Sequence, residues 1–158
     1  MKKIIFAISL LIAVTIPAIS HAQIHITIRA NIGSQPLWGP VGYDRADYYY
    51  MPEIETYYSV SRHQYVYMQG GRWIFSASLP YQYRNYDLYR GYKVVINDDP
   101  SPYRHHETYK TKYTGYRNDH SQPVIRNSHE TKYYEIKGHP DHNKWKPANR
   151  SKGNRGRH

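Results

Sequence analysis

The chain has 158 residues, with 22 lysines and arginines against 12 acidic residues, 19 tyrosines and no cysteine. This length accommodates one small domain with an appended segment and excludes two full-sized domains. The absence of cysteine excludes disulfide frameworks, thiolate zinc sites, cysteine nucleophiles and lipid attachment to an N-terminal cysteine, so any core is held by packing, much of it from tyrosine.

Residues 1–22 have the pattern of a secretory signal peptide. Two lysines precede an apolar run of thirteen residues from Ile4 to Ile16, and the small residues Ser20 and Ala22 complete a peptidase site. An uncleaved membrane anchor is the alternative, but a helix of thirteen residues covers only about 20 Å of a hydrocarbon core of roughly 30 Å. The sequence therefore predicts cleavage after Ala22, export to the periplasm or the outside of the cell, and no membrane span in the mature chain.

Residues 23–42 are predicted to form an edge strand, or alternatively a flexible lead, followed by a loop. Ile24, Ile26 and Ile28 alternate with polar residues at the period of a strand. The segment 31–42 is rich in glycine and proline, which is typical of a loop.

The clearest β pattern lies in residues 43–102. Three segments rich in β-branched and aromatic residues are predicted strands, namely 54–59, 64–69 and 72–76, with a turn at 60–63. A two-residue turn at Gly70 and Gly71 places Met68 opposite Trp73 and Val66 opposite Phe75, all on one face. The other face receives side chains suited to half exposure, which are Tyr65, Tyr67, Gln69, Arg72, Ile74 and Ser76.

The rest of this region completes the predicted domain. Tyrosines spaced three apart in 81–90 indicate a short helix or an ordered loop, which Gly91 could cap, and 92–97 is a further apolar strand. We therefore expect a mainly β fold, a small antiparallel meander of about 60 residues, which is marginal in size.

Residues 103–158 are predicted to be a basic, largely disordered tail. They carry thirteen basic and five acidic residues, whereas residues 23–102 carry seven of each, so the net charge of the mature chain lies in the tail. Aliphatic residues are few there, chiefly Val124, Ile125 and Ile136. So little apolar surface does not offset the loss of chain entropy on folding.

Several motifs resemble a family of small uncharacterised exported bacterial proteins. They are the run YYYMPEIETYY at 48–58, GGRW at 70–73, SLP at 78–80, YDLYRGYKVVIN at 86–97, QPVIR at 122–126 and HPDHNK at 139–144. The resemblance covers most of the mature chain and implies export and a shared domain. It implies no activity and no functional residue.

Tyrosine dominates the predicted domain, since 13 of the 19 tyrosines lie between Tyr43 and Tyr92. One interpretation is an aromatic and arginine face that stacks on sugar rings, peptides or a protein, since such residues dominate binding hot spots. The residues of that face are Tyr65, Tyr67, Arg72, Arg84 and Arg90, and Trp73 is a further candidate for interaction. The other interpretation is that tyrosine replaces missing aliphatic residues in the core.

Histidine offers a second candidate site, because seven of the nine histidines after Ala22 lie in the tail. His105, His106, His139 and His142 could ligate zinc, copper or nickel with Glu107 or Asp141 nearby. The spacings are irregular and no cysteine assists, so a solvated polar tail is the simpler interpretation.

Catalytic motifs are not recognisable. Carboxylates that could act as a pair are Asp44, Asp47, Glu53 and Glu55, and His63 with Ser61 or Ser76 could form part of a triad. None of them lies within a motif such as GxSxG. The sequence thus predicts a non-catalytic protein without a cofactor.

The predicted partners are anionic polysaccharide, lipid head groups or an envelope protein. An aromatic β face and a cationic tail would together contact such a component, with Tyr109, Tyr113, Tyr116 and Trp145 able to stack. Export argues against a role on chromosomal nucleic acid. The alternative function is envelope metal binding through the tail histidines.

Overall fold

The computed structural model describes residues 29–147 and confirms a mainly β domain. One antiparallel sheet has the strand order β4-β3-β2-β1-β5. Its strands are β1 (Tyr48–Met51), β2 (Thr56–Ser59), β3 (Gln64–Gln69), β4 (Arg72–Ser76) and β5 (Val94–Ile96). The predicted signal peptide and most of the first predicted strand lie outside the described residues.

Helical structure is limited to short elements. The helix α1 spans His106–Tyr113. Single 3₁₀ turns are Ile32–Ser34, Tyr81–Tyr83, Pro102–His105, Thr114–Tyr116, Ile125–Asn127, Thr131–Glu135 and His142–Lys144. Within residues 29–147, no helix has the length and apolar character needed to cross a bilayer.

The β3–β4 hairpin has the predicted register. Met68 pairs with Trp73 and Val66 with Phe75. Gly70 and the following glycine adopt φ angles of 57° and 73°, which is the backbone of a type I′ turn that matches the twist of the flanking strands. The predicted turn at 60–63 and the final strand also form, the latter shortened to β5.

The strand β1 was not among the predicted strands, although it is central to the sheet. All four of its residues are buried, as are all four of β2. Because layers cover both faces of the sheet, β1 does not alternate between apolar and polar residues. Tyr49 instead points to one face of the sheet, and Tyr48 and Tyr50 point to the other. Aromatic rings of β1 are therefore buried on both faces.

Two layers cover the sheet. On one face Tyr49, Tyr58 and Tyr65 pack around Trp38 from the glycine- and proline-rich loop, joined by the segment that follows β4. On the other face, residues that include Tyr50 and Tyr57 pack under the segment around α1. The sheet therefore has no open aromatic face at its centre, unlike the half-exposed face expected from the strand pattern.

The structure corrects the extent of the predicted tail, because residues 103–147 fold onto the rest of the chain. Tyr103, Tyr109 and Tyr113 pack against the sheet. A third cluster of Ile125, Tyr133 and Ile136 is packed against apolar residues of the N-terminal loop, which are Ile32, Leu37 and Val41. Tyrosine supplies the apolar surface that a count of aliphatic residues missed. Residues 148–158 lie outside the described part of the chain.

Candidate functional site

The four candidate interaction residues are divided between the two faces of the sheet, as the predicted register implies. Tyr65 is buried, with its ring centroid 5.0 Å from that of Tyr58. Trp73 lies on the other face, 5.3 Å from the ring of His106. Tyr67 is half-buried and Arg72 is exposed near the hairpin turn. They therefore do not form a single surface.

A different aromatic surface lies beside the edge strand β4. Met68 and Phe75 are 47% and 39% exposed, which is unusual for large apolar side chains of a small domain. The ring of Tyr103 lies 5.3 Å from Phe75 and 5.6 Å from Trp73, so residues before α1 extend the aromatic surface beyond the strand.

Two arginines border these aromatic residues. The guanidinium of Arg62 lies 5.9 Å from the ring centroid of Phe75. Arg104 lines a groove of about 430 Å³ together with Met68, Trp73 and Tyr103. Neither arginine forms an ion pair with any residue between 29 and 147. The hairpin surface is defined here as Met68, Trp73, Phe75, Tyr103, Arg62 and Arg104.

Next to the hairpin surface, Glu55 joins the β1–β2 turn to the segment around α1. Its Oε2 atom lies 3.0 Å from Lys110 Nζ and 3.5 Å from His106 Nε2, and Oε1 binds Arg117. Burial alone would raise the pKa of this carboxyl, but the hydrogen bond and charge of Lys110, with Arg117 and His106, lower it below its ordinary value. Glu55 therefore stays ionised.

His106 connects this carboxylate to the buried sheet. Its Nδ1 atom lies 3.1 Å from the hydroxyl of Tyr57. Burial raises the pKa of Tyr57 above its ordinary value, so the phenol keeps its proton. The geometry fits a phenol that donates to Nδ1 while the Nε2 proton faces Glu55. The contact anchors α1 over the sheet.

A polar cleft of about 240 Å³ opens at the same end of the sheet. The residues that define this turn cleft come from four separate segments and are Glu53, Glu55, Tyr67, Gln82, Tyr83 and Arg117. Met68 and His106 also line it and are shared with the groove of the hairpin surface. The two sites therefore adjoin.

Glu53 is held in the turn cleft by a contact from the 81–90 segment. The hydroxyl of Tyr86 donates a hydrogen bond of 3.1 Å to Glu53 Oε2. That hydroxyl passes over Gly91, where an added Cβ atom would lie 1.6 Å from it. Glycine at this position is therefore required by close approach, since any larger residue would displace the tyrosine.

The four candidate metal ligands are not brought together. His105 Nδ1 lies 2.8 Å from Asp99, and His106 is engaged as above. His139 is buried, with Nε2 3.1 Å from Ile125 O and with Nδ1 accepting from the Asp141 amide. His142 Nδ1 lies 2.6 Å from Tyr134 O. Among residues 29–147, no three His, Asp or Glu side chains are grouped as a metal site.

The residues considered for catalysis also have other partners. Asp44 binds Lys132 at 2.8 Å, and Asp47 pairs with Arg45. His63 lies 3.4 Å from the Tyr58 hydroxyl, and no hydrogen bond within the described chain joins it to Ser61 or Ser76. Glu53 and Glu55 line the same cavity, which is the turn cleft.

The remaining aromatic candidates of the tail have structural neighbours. Tyr109 and Tyr113 cover the sheet, and Tyr116 stacks on Tyr92 with ring centroids 4.5 Å apart. Trp145 is exposed and stacks on His142.

Comparison with known proteins adds no relative, since no family model, curated protein or solved structure matches the chain significantly. The predicted similarity to exported bacterial proteins thus stays a prediction. The sequence did single out Glu53, Glu55 and Tyr67 of the turn cleft, but it offered no signal for Gln82, Tyr83 or Arg117. Gln82 and Tyr83 are neighbours in the 81–90 segment, and both that segment and Arg117 lie far along the chain from Glu53 and Glu55.

Proposed function

We propose that this protein is an exported, non-catalytic binding protein for an anionic polymer of the cell envelope or matrix, with an acidic polysaccharide as the favoured partner. The observation that carries the proposal is the hairpin surface, where exposed aromatic and methionine side chains adjoin two arginines without ion pairs. Aromatic residues, methionine and arginine are enriched in the cores of interfaces.

The chemistry of the surface favours a sugar polymer. Aromatic rings provide flat apolar areas for the C–H faces of sugar rings, and arginine binds carboxylate or phosphate through paired donors. The charge of the basic segment adds to this attraction. Of the thirteen basic residues in 103–158, four lie in 148–158, which has no acidic residue.

Part of the charge in 103–147 is already compensated within the fold. Lys132 binds Asp44 and Glu130, and Lys144 binds Asp141. The proposal therefore places the polymer on Arg62, Arg104 and the last eleven residues rather than evenly along the predicted tail.

The test is retention of the purified protein on immobilised alginate, with immobilised neutral dextran as the comparison. Retention on alginate should weaken with added salt. Replacing both Arg62 and Arg104 with glutamine should lower the slope of log affinity against log salt by about one for each arginine, the value known for nucleic acid phosphates. The matched control replaces Arg84 and Arg90, which are exposed arginines outside the hairpin surface.

A second variant ends the chain at residue 147, which keeps every residue that the structure describes. It should also bind alginate more weakly. Equal retention on dextran and alginate, or equal salt slopes for the Arg62/Arg104 variant and its control, would refute the proposal. Vesicles containing anionic phosphatidylglycerol form a parallel arm, and tighter binding to them than to alginate would assign lipid head groups instead.

Export is a separate part of the proposal, supported by the pattern of residues 1–22. Cell fractionation followed by N-terminal sequencing should find the protein outside the cytoplasm, starting at Gln23. Recovery from the cytoplasm with residues 1–22 attached would contradict export without affecting the binding test.

A further inference from the structure

We propose that the turn cleft is a separate binding site for one neutral sugar ring. The turn cleft and the groove beside the hairpin surface share Met68 and His106, and their other lining residues differ. The inference therefore does not depend on the proposed anionic polymer.

Size is the first argument. The cavity of about 240 Å³ is smaller than the roughly 300–1,000 Å³ of pockets for drug-sized ligands. It is bordered by the β1–β2 turn, β3, the 81–90 segment and the residues around α1, so walls from both faces of the sheet meet there. Such a space admits a small compact molecule but not a folded peptide.

Charge is the second argument. Glu53 and Glu55 face Arg117, and Lys110 lies 3.0 Å from Glu55, so two carboxylates are balanced by two cations. An anionic ligand would be repelled by the carboxylates, and a cationic ligand by Arg117 and Lys110. A neutral polar ligand meets neither penalty.

Hydrogen bonding is the third argument. Carboxylate oxygens accept from hydroxyl groups, whereas the Gln82 amide both donates and accepts. Gln82 is exposed and its amide makes no hydrogen bond to residues 29–147. A polyhydroxyl ligand would use these groups.

Aromatic rings complete the lining. Tyr67 and Tyr83 are half-buried and border the cleft on different sides. A sugar has apolar C–H faces as well as hydroxyl edges, so it matches a cleft in which two tyrosine rings stand beside carboxylate, amide and guanidinium groups.

The experiment is titration of the full chain, followed by saturation-transfer NMR, with glucose, galactose, mannose and N-acetylglucosamine. Glucuronate and glucosamine serve as charged relatives of glucose. We expect at least one neutral sugar to bind, and we expect both charged relatives to bind more weakly than glucose or not at all. If no neutral sugar binds, or if a charged sugar binds more tightly than every neutral one, the inference is wrong.

Two variants assign the binding to the cleft. Gln82→Ala and Glu53→Gln should each weaken binding of the best neutral sugar about tenfold, since a hydrogen bond involving a ligand in a cavity is typically worth that factor. Asn85→Ala, an exposed amide on the same segment outside the cleft, is the matched control. Unchanged affinity in both cleft variants would overturn the assignment.

The two proposed sites can fail independently. The Arg62/Arg104 variant should bind alginate more weakly, with a smaller salt slope, and should keep its affinity for the neutral sugar. The Gln82→Ala variant should keep its salt-dependent retention on alginate and should bind the neutral sugar more weakly. Loss of both activities in either variant, with an unchanged circular dichroism spectrum, would show that the cleft is not a separate site.

Discussion

The backbone amide of Gly42 donates a hydrogen bond of 2.7 Å to the hydroxyl of Tyr133, joining two residues 91 positions apart. The Tyr133 ring is fully buried against the apolar side of the N-terminal loop. Nearby, Ile125 N donates to Gly39 O at 2.8 Å, and Val41 N donates to Pro123 O at 3.2 Å. The N-terminal loop therefore serves as the docking surface for residues that look like a tail in the sequence.

Removing only the hydroxyl of Tyr133 should destabilise the protein. Tyr133→Phe keeps the buried ring but leaves the Gly42 amide without its acceptor, which should lower the free energy of unfolding by about 1 kcal/mol. Urea denaturation measures the change. Tyr43→Phe is the control, because that tyrosine is exposed, and it should leave stability unchanged. Equal stability of Tyr133→Phe and the wild type would contradict the role assigned to this contact.

Replacing Glu55 with glutamine should destabilise the protein in a pH-dependent way. The pKa of Glu55 in the folded protein is below its ordinary value of 4.5. A carboxyl with a lowered pKa stabilises the fold above its unfolded pKa, and this contribution is lost as the pH falls through the folded pKa. Glu55→Gln should therefore cost about 1 kcal/mol at neutral pH, given its partial exposure, and little in acid.

Denaturant titrations at neutral and acid pH test the Glu55 prediction. Glu107→Gln is the matched control, because Glu107 is exposed on α1 and forms no ion pair with residues 29–147. A cost for Glu55→Gln that is the same at both pH values would argue against an electrostatic origin.

Alkaline pH should unfold the protein cooperatively. Burial raises the pKa of both Tyr50 and Tyr65 to about 12, and burial with nearby Asp99 does the same for Tyr109. The ordinary pKa of a tyrosine hydroxyl is 10.0. A group whose folded pKa is raised stabilises the fold below its unfolded pKa, and this stability is lost as the pH rises through the folded value.

We therefore expect the loss of stability to begin near pH 10 and to be nearly complete by about pH 12. The part of the phenolate absorbance that comes from the buried tyrosines should rise in the same step as the circular dichroism changes. An early rise in absorbance from the exposed tyrosines is expected as well. Full tyrosine ionisation near pH 10 with an unchanged dichroism spectrum would contradict the burial of these rings.

Replacing Lys93 with methionine should stabilise the protein. Lys93 is 1% exposed, and its Nζ atom donates one hydrogen bond of 2.9 Å, to Leu88 O. Burial lowers its pKa from 10.5 to about 8, although nearby Asp87 opposes the shift. A protein that buries a cation with few partners is usually less stable than the same protein with an apolar side chain of similar size at that position.

The size of the Lys93 effect depends on pH. Because the folded pKa is the lower one, the cost of burying the charge is full below about pH 8 and disappears as the pH rises to 10.5. Lys93→Met should raise the free energy of unfolding by about 2 kcal/mol at pH 7 and by less at pH 9. Lys137→Met, an exposed control, should have little effect. If Lys93→Met were less stable than the wild type at pH 7, the prediction would be wrong.

Local chemistry explains why the hairpin was predictable in detail. Gly70 and Gly71 can adopt positive φ without penalty, and the alternation of Val66, Met68, Trp73 and Phe75 allows one register. These signals lie within about a dozen residues. The exposure of Met68 and Phe75 was not predictable, because it depends on how far the layer around α1 extends over the hairpin.

The candidate sites were only partly predictable, because they combine residues from segments that are distant in the chain. Glu53, Glu55 and Tyr67 stood out as residue types with suitable chemistry, but Arg117 reaches Glu55 from 62 positions away. No pattern in a single sequence indicates such a pairing. The expected aromatic face around Tyr65 failed because Trp38, from the loop before the sheet, covers it.

The sequence by itself determined the mainly β class, the antiparallel hairpin and its register, since each depends on backbone preferences and side-chain alternation over a few residues. Only the tertiary structure decided that residues 103–147 belong to the fold and which tyrosines are buried. The physical reason is that a tyrosine has both an apolar ring and a polar hydroxyl, so the residues beside it in the sequence do not show whether the ring is buried or exposed. Its burial is stabilised by contacts between segments as distant as Gly42 and Tyr133.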